Sequence, residues 1–362
     1  MIQSSHHPTA KASPSPGAVC TAVVTAVIPI RNEAAFIART LDQVLDQDLT
    51  GVELEVIVVD GESTDGTQDI VNRYVDRDQR IQLINNPQLL SSAARNLAIG
   101  IATGDYIVVI DGHCEIPSRR YFIDLVDAFE SSGADCLGRP QPLDVTDATS
   151  LQRAIAVARS SRLGHHPESF IYSDQPQFVP AKSVAVAYRR QVFETVGLFD
   201  PSFDAHEDGE FNHRCDRAGL RCYFAPSMAV RYFPRTSLAG LFRQMFRYGR
   251  GRVRYSRKHP GTWGLGSLIP ALFVTYLAVG FVLSLAVSKV WMFYCAVLAC
   301  YAFALFFSAL SSAFKSRCPT MVCLIPLVLF TVHVGAGVGV LTEMFRPRGR
   351  TAGLLVPSGS HP

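Results

Sequence analysis

The chain carries little charge. Lys and Arg number 34 and Asp and Glu 31 among 362 residues, 18 % in all, for a formal net charge of +3. So small an excess excludes a general polyanion binder, and no nucleic-acid partner is expected. Nine cysteines are scattered with no CxxC pair and in odd number, which argues against a structural zinc site and a disulfide framework and for a reducing compartment. No GxGxxG follows the first apolar run, against a dinucleotide-binding fold, and no GxxxxGK followed by Ser or Thr occurs, against a P-loop. No secretory leader is evident. Residues 1–20 are polar and rich in Ser, Pro and Ala, and are expected to form a disordered tail. The next run, Ala22 to Ile30, is too short to span a bilayer, so the globular part is expected to stay in the cytoplasm.

Charge is also missing locally. Between residues 265 and 342 only Lys289, Lys315 and Arg317 are charged. Three apolar stretches, near 265–287, 290–312 and 320–342, are each about long enough for a ~30 Å hydrocarbon core. Trp263 and Trp291 stand at segment starts, as interfacial anchors do. Lys315 and Arg317 place the second loop inside. Three full spans would then put Arg346, Arg348 and Arg350 outside, against the positive-inside tendency. The third stretch contains Gly335, Gly337, Gly339 and His333, and two readings stay open: a re-entrant segment, or an exception to the rule.

Residues 21–235 read as an α/β domain. Apolar strands at Ala22–Ile30, Glu53–Asp60, Ile81–Ile84 and Tyr106–Ile110 alternate with helical spacing at Ala34–Leu45, Gln68–Tyr74, Ser91–Ile101 and Tyr121–Glu130. Such alternation implies βαβ units and a mainly parallel sheet, whose ligands bind at the C-terminal strand edge. Two strands end there in acids: Asp60, and Asp111 with His113 two residues on. A carboxylate and an imidazole at that spacing can share one dication. Asp200 to Glu210 is the densest acidic segment, with helical spacing from Phe211 to Ala218 after it; acidic segments are ordinarily solvated.

Residues 236–260 carry Leu238, Leu241, Phe242, Met245 and Phe246 as one apolar stripe, with Arg243, Gln244, Arg247 and Arg250 on the other side. The pattern predicts an amphipathic, basic helix, read as interfacial and lying on the membrane rather than packed on the domain. Its arginines are either a flank that orients the chain or a surface for lipid headgroups or diphosphate.

Val27-Ile28-Pro29-Ile30-Arg31-Asn32-Glu33, Val59-Asp60-Gly61 through Thr67, Ala94-Arg95-Asn96, Gly104-Asp105, Asp111-Gly112-His113 and His206-Glu207-Asp208 occur in that order. Together they resemble family 2 glycosyltransferases of GT-A fold, over roughly residues 22–255. Gln244 to Gly249 resembles the Q-x-x-R-W element of membrane polysaccharide synthases with Tyr248 for Trp, and the surrounding residues are similar to bacterial exopolysaccharide transferases of the succinoglycan type. The resemblance implies a GT-A catalytic domain over 21–235; periodicity and composition add the interfacial helix over 236–260, a transmembrane region over 261–345 and a polar tail over 346–362.

It also implies roles. Pro29, Arg31, Glu33, Asp60, Asp65, Arg95 and Asp111 would bind the nucleotide sugar, with Asp65 equally readable as a turn or cap residue. Asp111 and His113 would hold Mg²⁺ or Mn²⁺, the His standing where a second Asp is commoner. The family's further His near 230–233 is replaced by Val230-Arg231-Tyr232-Phe233. Asp208 would be the general base, Glu207 would orient the loop or acceptor, and Gln244, Arg247 and Tyr248 would meet the acceptor or diphosphate. The expected activity is inverting transfer from a nucleoside-diphosphate sugar, UDP-sugars first, to a polyprenyl-diphosphate-linked saccharide at the cytoplasmic face of the inner membrane. The alternatives are a processive synthase, which usually has spans before the catalytic domain, and a non-catalytic scaffold that binds nucleotide sugars.

Overall fold

A computed structural model describes residues 21–165 and 169–346. The first half runs β1 (Ala22–Ile30), α1 (Ile37–Leu45), β2 (Val52–Asp60), α2 (Thr67–Val75), β3 (Ile81–Asn85), α3 (Ser91–Ile101), β4 (Tyr106–Val109), β5 (Cys114–Glu115), α4 (Tyr121–Ser132) and β6 (Cys136–Gly138). Then come α5 (Ser150–Ser160), β7 (Gln177–Val179), β8 (Ala185–Arg189), α6 (Gln191–Val196), α7 (Glu207–Arg217), β9 (Cys222–Phe224) and β10 (Arg231–Tyr232). The apolar end comprises α8 (Leu238–Lys258), α9 (Leu265–Thr275), α10 (Phe281–Ala286), α11 (Ser288–Ser316) and α12 (Met321–Met344).

The eight-stranded sheet has the order β3-β2-β1-β4-β8-β6-β9-β7. Strands β1 to β4 pair in parallel; β8 joins β4 antiparallel. The β1 and β2 runs are β-branched and buried on both faces, as central parallel strands must be. Their side chains alternate between two cores: Val24, Ala26, Ile28, Val56 and Val58 on one face, Val27, Ile57 and Val59 on the other. Register sets Ile30 beside Asp60 and Asp60 beside Asn85, so three strands end in one row.

Three helical stretches, Leu268–Ala286, Lys289–Ser316 and Met321–Met344, are long and apolar enough to cross a membrane. The first is not uniform: a π-helical turn over Tyr276–Gly280 joins α9 to α10. The third is one continuous helix despite Pro326. Its glycines are packing sites. A Cβ on Gly339 would lie 2.1 Å from the Phe246 carbonyl oxygen, and one on Gly337 2.2 Å from that of Pro270. Small residues let helix backbones approach this closely.

That packing corrects the expectation for residues 236–260. A helix forms there, capped by Ser237, whose hydroxyl accepts from the Gly240 amide at 3.1 Å. Its apolar stripe, however, is covered by α12 and not left for lipid: Leu241 and Met245 are buried in one cluster with Ile325, Leu329 and Val332, to which α5 adds Ala154 and Ile155. The helix therefore packs on protein, the alternative set aside on sequence grounds. The sequence tails before residue 21 and after residue 346, including Arg348 and Arg350, lie outside the described residues.

Replacing Gly339 by Val should push α12 off α8 and lower the melting temperature of the detergent-solubilised chain by several degrees. Gly100→Ala, inside α3 with nothing near its Cβ position, should be neutral or stabilising by up to ~1 kcal/mol. Equal melting temperatures for Gly339→Val and the parent chain would contradict the packing.

Candidate active site

The row of strand ends forms one side of the site. Asp60 is fully buried, accepting from the Ser63 amide at 2.9 Å and from the Ser63 hydroxyl and the Gln68 amide group. A cleft opens beside it at the β2 and β3 edge, lined by Asp60, Ser63, Thr64, Gln68, Ile84 and Asn85. Pro29 is half-buried in β1 opposite Val59. Asn32 takes a left-handed conformation, φ 56°, and its side-chain carbonyl accepts from the Thr64 amide at 2.8 Å. Asp65 accepts from the Ala34 and Thr67 amides, both at 3.1 Å, so it acts as the turn residue that ties the loop after β1 to the start of α2. Burial works against its charge, but the Thr67 hydroxyl and then these amides outweigh burial and lower its pKa. The stem of Arg31 lies against Gly61, and its buried Nε has no hydrogen-bond partner.

Asp111 and His113 follow β4. The imidazole Nδ1 lies 2.8 Å from Glu33 Oε1. A carboxylate on Nδ1 selects the tautomer that presents Nε2 as the ligand, the usual outer-shell arrangement of a metal-bound His. Burial opposes the imidazolium, but Glu33 and then Asp111 outweigh it and raise its pKa. Asp111 is half-buried, and its pKa is lowered because His113, Arg95 and Tyr232 outweigh the opposing effect of burial. The β10–β5 ladder sets Tyr232 across from Cys114, and the phenol donates to Asp111 Oδ2 at 2.7 Å. Where the resemblance expects a further His, this chain thus has a donor that orients Asp111. Arg139, fully buried, donates to the Tyr121 hydroxyl and, at 3.2 Å, to the Val109 carbonyl. Burial pushes the Cys114 thiol up to about 12, which makes it a structural residue.

Among the described residues no group of three or more His, Cys, Asp or Glu converges as a metal site. Asp111 and His113 supply a carboxylate and an imidazole, two donor types that a dication accepts.

The acidic segment forms the opposite side, and it is not a solvated loop. Glu207 and Glu210 are buried, and α7 begins at Glu207 rather than Phe211. Asp208 is exposed in the first turn, where the helix dipole favours a carboxylate. Helix α3 holds the preceding loop: Asn96 Nδ2 donates to the Phe199 carbonyl at 2.7 Å, Phe199 N donates to Asn96 Oδ1 at 2.9 Å, and Ser92 Oγ donates to the Phe203 carbonyl at 3.2 Å. Arg95, from the same helix, does not line the cleft beside Asp60 but lies against these acids, with Nη2 3.3 Å from Glu207 Oε1. Burial alone would lower its pKa; the charges of Glu207, Asp208 and Asp111 outweigh burial and raise it. Burial likewise raises the pKa of Glu207, against the pull of Arg95. One buried cation therefore faces acids from both sides of the site.

Helix α8 backs the acidic side. Arg247 donates to the Asp204 carbonyl at 2.8 Å, and Gln244 Nε2 donates to the Tyr248 hydroxyl at 3.3 Å. Tyr248 is exposed. Much of the basic cluster is paired within the protein: Arg250 and Arg254 with Asp204 and Glu343, and Lys258 with Asp200 and Glu210. Tyr232, Arg139, Asp204 and Glu343 were not singled out from the sequence. Glu343 alone left a sign, as the one acid in an otherwise uncharged helix.

The profile of the family described as Glycosyl transferase family 2 matches residues 25–197. The chain is 33 % identical over 261 residues to the succinoglycan biosynthesis protein ExoA of Rhizobium meliloti, covering 72 % of this chain and 77 % of that one. It is 22 % identical over 321 residues to a dolichyl N-acetyl-alpha-D-glucosaminyl phosphate 3-beta-D-2,3-diacetamido-2,3-dideoxy-beta-D-glucuronosyltransferase of Methanococcus voltae, covering 86 % of this chain and 93 % of that one. In fold it is similar to the mannosyltransferase PcManGT of Pyrobaculum calidifontis, solved with GDP-Man and Mn²⁺: TM-score 0.55, 19 % identity, 89 % of this chain and 87 % of that one.

Removing the shared cation should expose its role. Arg95→Met leaves Glu207 buried without its partner and should cost about 3 kcal/mol of stability at pH 8. A Glu207 pKa raised in the folded state means that the fold gains stability as pH falls and the carboxyl takes up its proton. The deficit of Arg95→Met should accordingly shrink between pH 8 and pH 5, and Glu207→Gln should repair part of it. Thermal melts across that range check this; a deficit independent of pH would contradict it.

Proposed function

The chain belongs to glycosyl transferase family 2, and from that premise we propose that it is an inverting, metal-dependent transferase. It moves a sugar from a nucleoside diphosphate, UDP-sugars first, to a lipid-linked saccharide in exopolysaccharide or cell-surface glycan synthesis. The observation that carries this reading is one buried cation, Arg95, paired with Glu207 and near enough to Asp208 and Asp111 to feel both charges. A base and a leaving-group site on opposite sides of a sugar are what in-line inversion requires.

In this mechanism the cleft beside Asp60 receives the nucleotide, and Arg31 and Glu33 line the path of the diphosphate. Mg²⁺ or Mn²⁺, held by Asp111 and His113, would neutralise charge on the departing diphosphate. Tyr232 and Glu33 keep those two side chains oriented. Asp208, exposed in the first turn of α7, takes the proton of the acceptor hydroxyl. The acceptor oxygen bonds to the anomeric carbon as the bond to the diphosphate oxygen breaks. Glu207 stays paired with Arg95 and holds the loop. Gln244 and Tyr248, on a helix fixed between the catalytic loop and the apolar helices, stand where the head of a lipid-linked acceptor would enter. The similarity to an enzyme whose name specifies a dolichyl-phosphate-linked sugar supports an acceptor of that kind.

Membrane association follows from the apolar helices. We read the catalytic domain as cytoplasmic, with α9 to α11 as a two-span hairpin. Helix α12 is 24 residues, ~36 Å, long, but its first half packs on α5 and its Glu343 pairs with α8. We therefore read both ends as lying on the side of the catalytic domain, a topology that keeps Arg346 inside, in line with the positive-inside tendency.

Membranes containing the chain should transfer label from one of a set of radiolabelled UDP-, GDP- and dTDP-sugars to the lipid-extractable fraction, with Mn²⁺ or Mg²⁺ required. Asp208→Asn should lower that rate by about 10³-fold. Label in long polymer would favour a processive synthase; unchanged transfer by Asp208→Asn would refute the mechanism. For topology, a C-terminal green fluorescent protein fusion in a Gram-negative host should fluoresce and an alkaline phosphatase fusion should be inactive. The reverse would place α12 across the bilayer.

A further inference from the structure

Glu343 is the sole charged residue of α12. An acid there is not needed for anchoring, and its burial is costly without compensation. Arg250 and Arg254 compensate it, with Arg346 Nη1 at the longer distance of 4.0 Å. Arg250 Nε and Arg254 Nε each donate to it at 2.9 Å. Both arginines also reach Asp204: Arg254 Nη1 pairs with Oδ1, and Arg250 Nη1 lies 3.8 Å from Oδ2. Arg247, one turn earlier on the same face of α8, donates to the Asp204 carbonyl. Asp204 is thus gripped at its side chain and its backbone.

The grip continues toward Asp208. The backbones of α8 and the loop touch: a Cβ on Gly251 would lie 2.6 Å from the Ala205 carbonyl oxygen. His206 follows in a left-handed conformation, φ 68°, unfavourable for a side chain with a Cβ, and its ring meets Tyr255 edge-on at 5.1 Å. Glu207 and Asp208 come next, at the first turn of α7. A continuous set of contacts joins the end of the last apolar helix to the loop that ends in Asp208.

We propose that Glu343 is a positioning residue for transfer, acting through Arg250, Arg254 and Asp204 to fix the loop that presents Asp208. The proposal rests on the reading of Asp208 as the base. It gives the last apolar helix a part in the active site: without it the two arginines lose the group that aims them at Asp204. An apolar helix that only filled space against α8 would tolerate neutral substitution at this position.

The test uses the full chain in lipid nanodiscs, as Glu343→Gln, which keeps the size and removes the charge, as Glu343→Asp, and as Asp204→Asn, which breaks the link from the loop side. Hydrogen–deuterium exchange is followed in peptides covering residues 199–211, with β2 as the control for the fold. Glu343→Gln and Asp204→Asn should speed exchange in 199–211 at least tenfold and leave β2 unchanged. Transfer should fall at least tenfold in kcat with the donor KM within twofold, and Glu343→Asp should recover part of both. Unchanged exchange in 199–211 would overturn the proposal and leave the Asp208 reading standing. Exchange that rises equally in β2 would also overturn it, since Glu343 would then serve the fold at large. A loosened loop with undiminished transfer would overturn the reading of Asp208 itself, and with it the role of Glu343 in catalysis.

Discussion

The guanidinium of Arg95 lies buried against Glu207, with Asp208 and Asp111 close enough to stabilise its charge, and the two sides of the site meet on it. A cation out of water is tolerable only among compensating acids, and acids so crowded are tolerable only around a cation. Arg95 thus sets where the acidic loop sits relative to the strand ends. The strands in turn fix Arg95, because α3 packs on β1 and β2 and ties the loop through Ser92 and Asn96. A sheet edge alone would present Asp111 and His113 to solvent. With the acidic loop drawn over it, the edge becomes one wall of a site with a carboxylate on the other.

The same compensation recurs outside this centre. Arg250 and Arg254 stand between Asp204 and Glu343 as Arg95 stands among its acids. Lys258 and His259 both meet Glu210, whose side chain is completely buried. The acidic segment therefore rests on α8 along its length, and α8 rests on α12 through close glycine contacts. The catalytic domain and the apolar helices form one packed unit here rather than a domain on a tether.

Much of this was legible in the sequence because it rests on local pattern. Buried β-branched runs marked β1, β2 and β4, and the acids at their ends marked the strand edge. The ordered motifs gave the family, and the uncharged stretches gave the apolar helices. What escaped depends on partners far apart in the chain. Tyr232 reaches Asp111 only because β10 pairs with β5, and Glu343 meets arginines about ninety residues earlier. The basic run before the apolar region looked like a membrane flank, since composition cannot say that Asp200, Asp204, Glu210 and Glu343 absorb its charge. The apolar stripe of α8 was read as lipid-facing for a similar reason: periodicity shows that a face is covered, not by what.

In the mechanism we propose, labour is divided across Arg95, with metal and donor on the Asp111–His113 side and proton transfer on the Asp208 side. The most direct measurement is Mn²⁺ binding followed by electron paramagnetic resonance on the full chain in nanodiscs, with and without UDP. Mn²⁺ should bind at least tenfold more tightly with UDP present. His113→Ala should abolish that gain, and Asp208→Asn should retain it. Tight Mn²⁺ binding without UDP, or equal loss of the gain in both variants, would contradict the account.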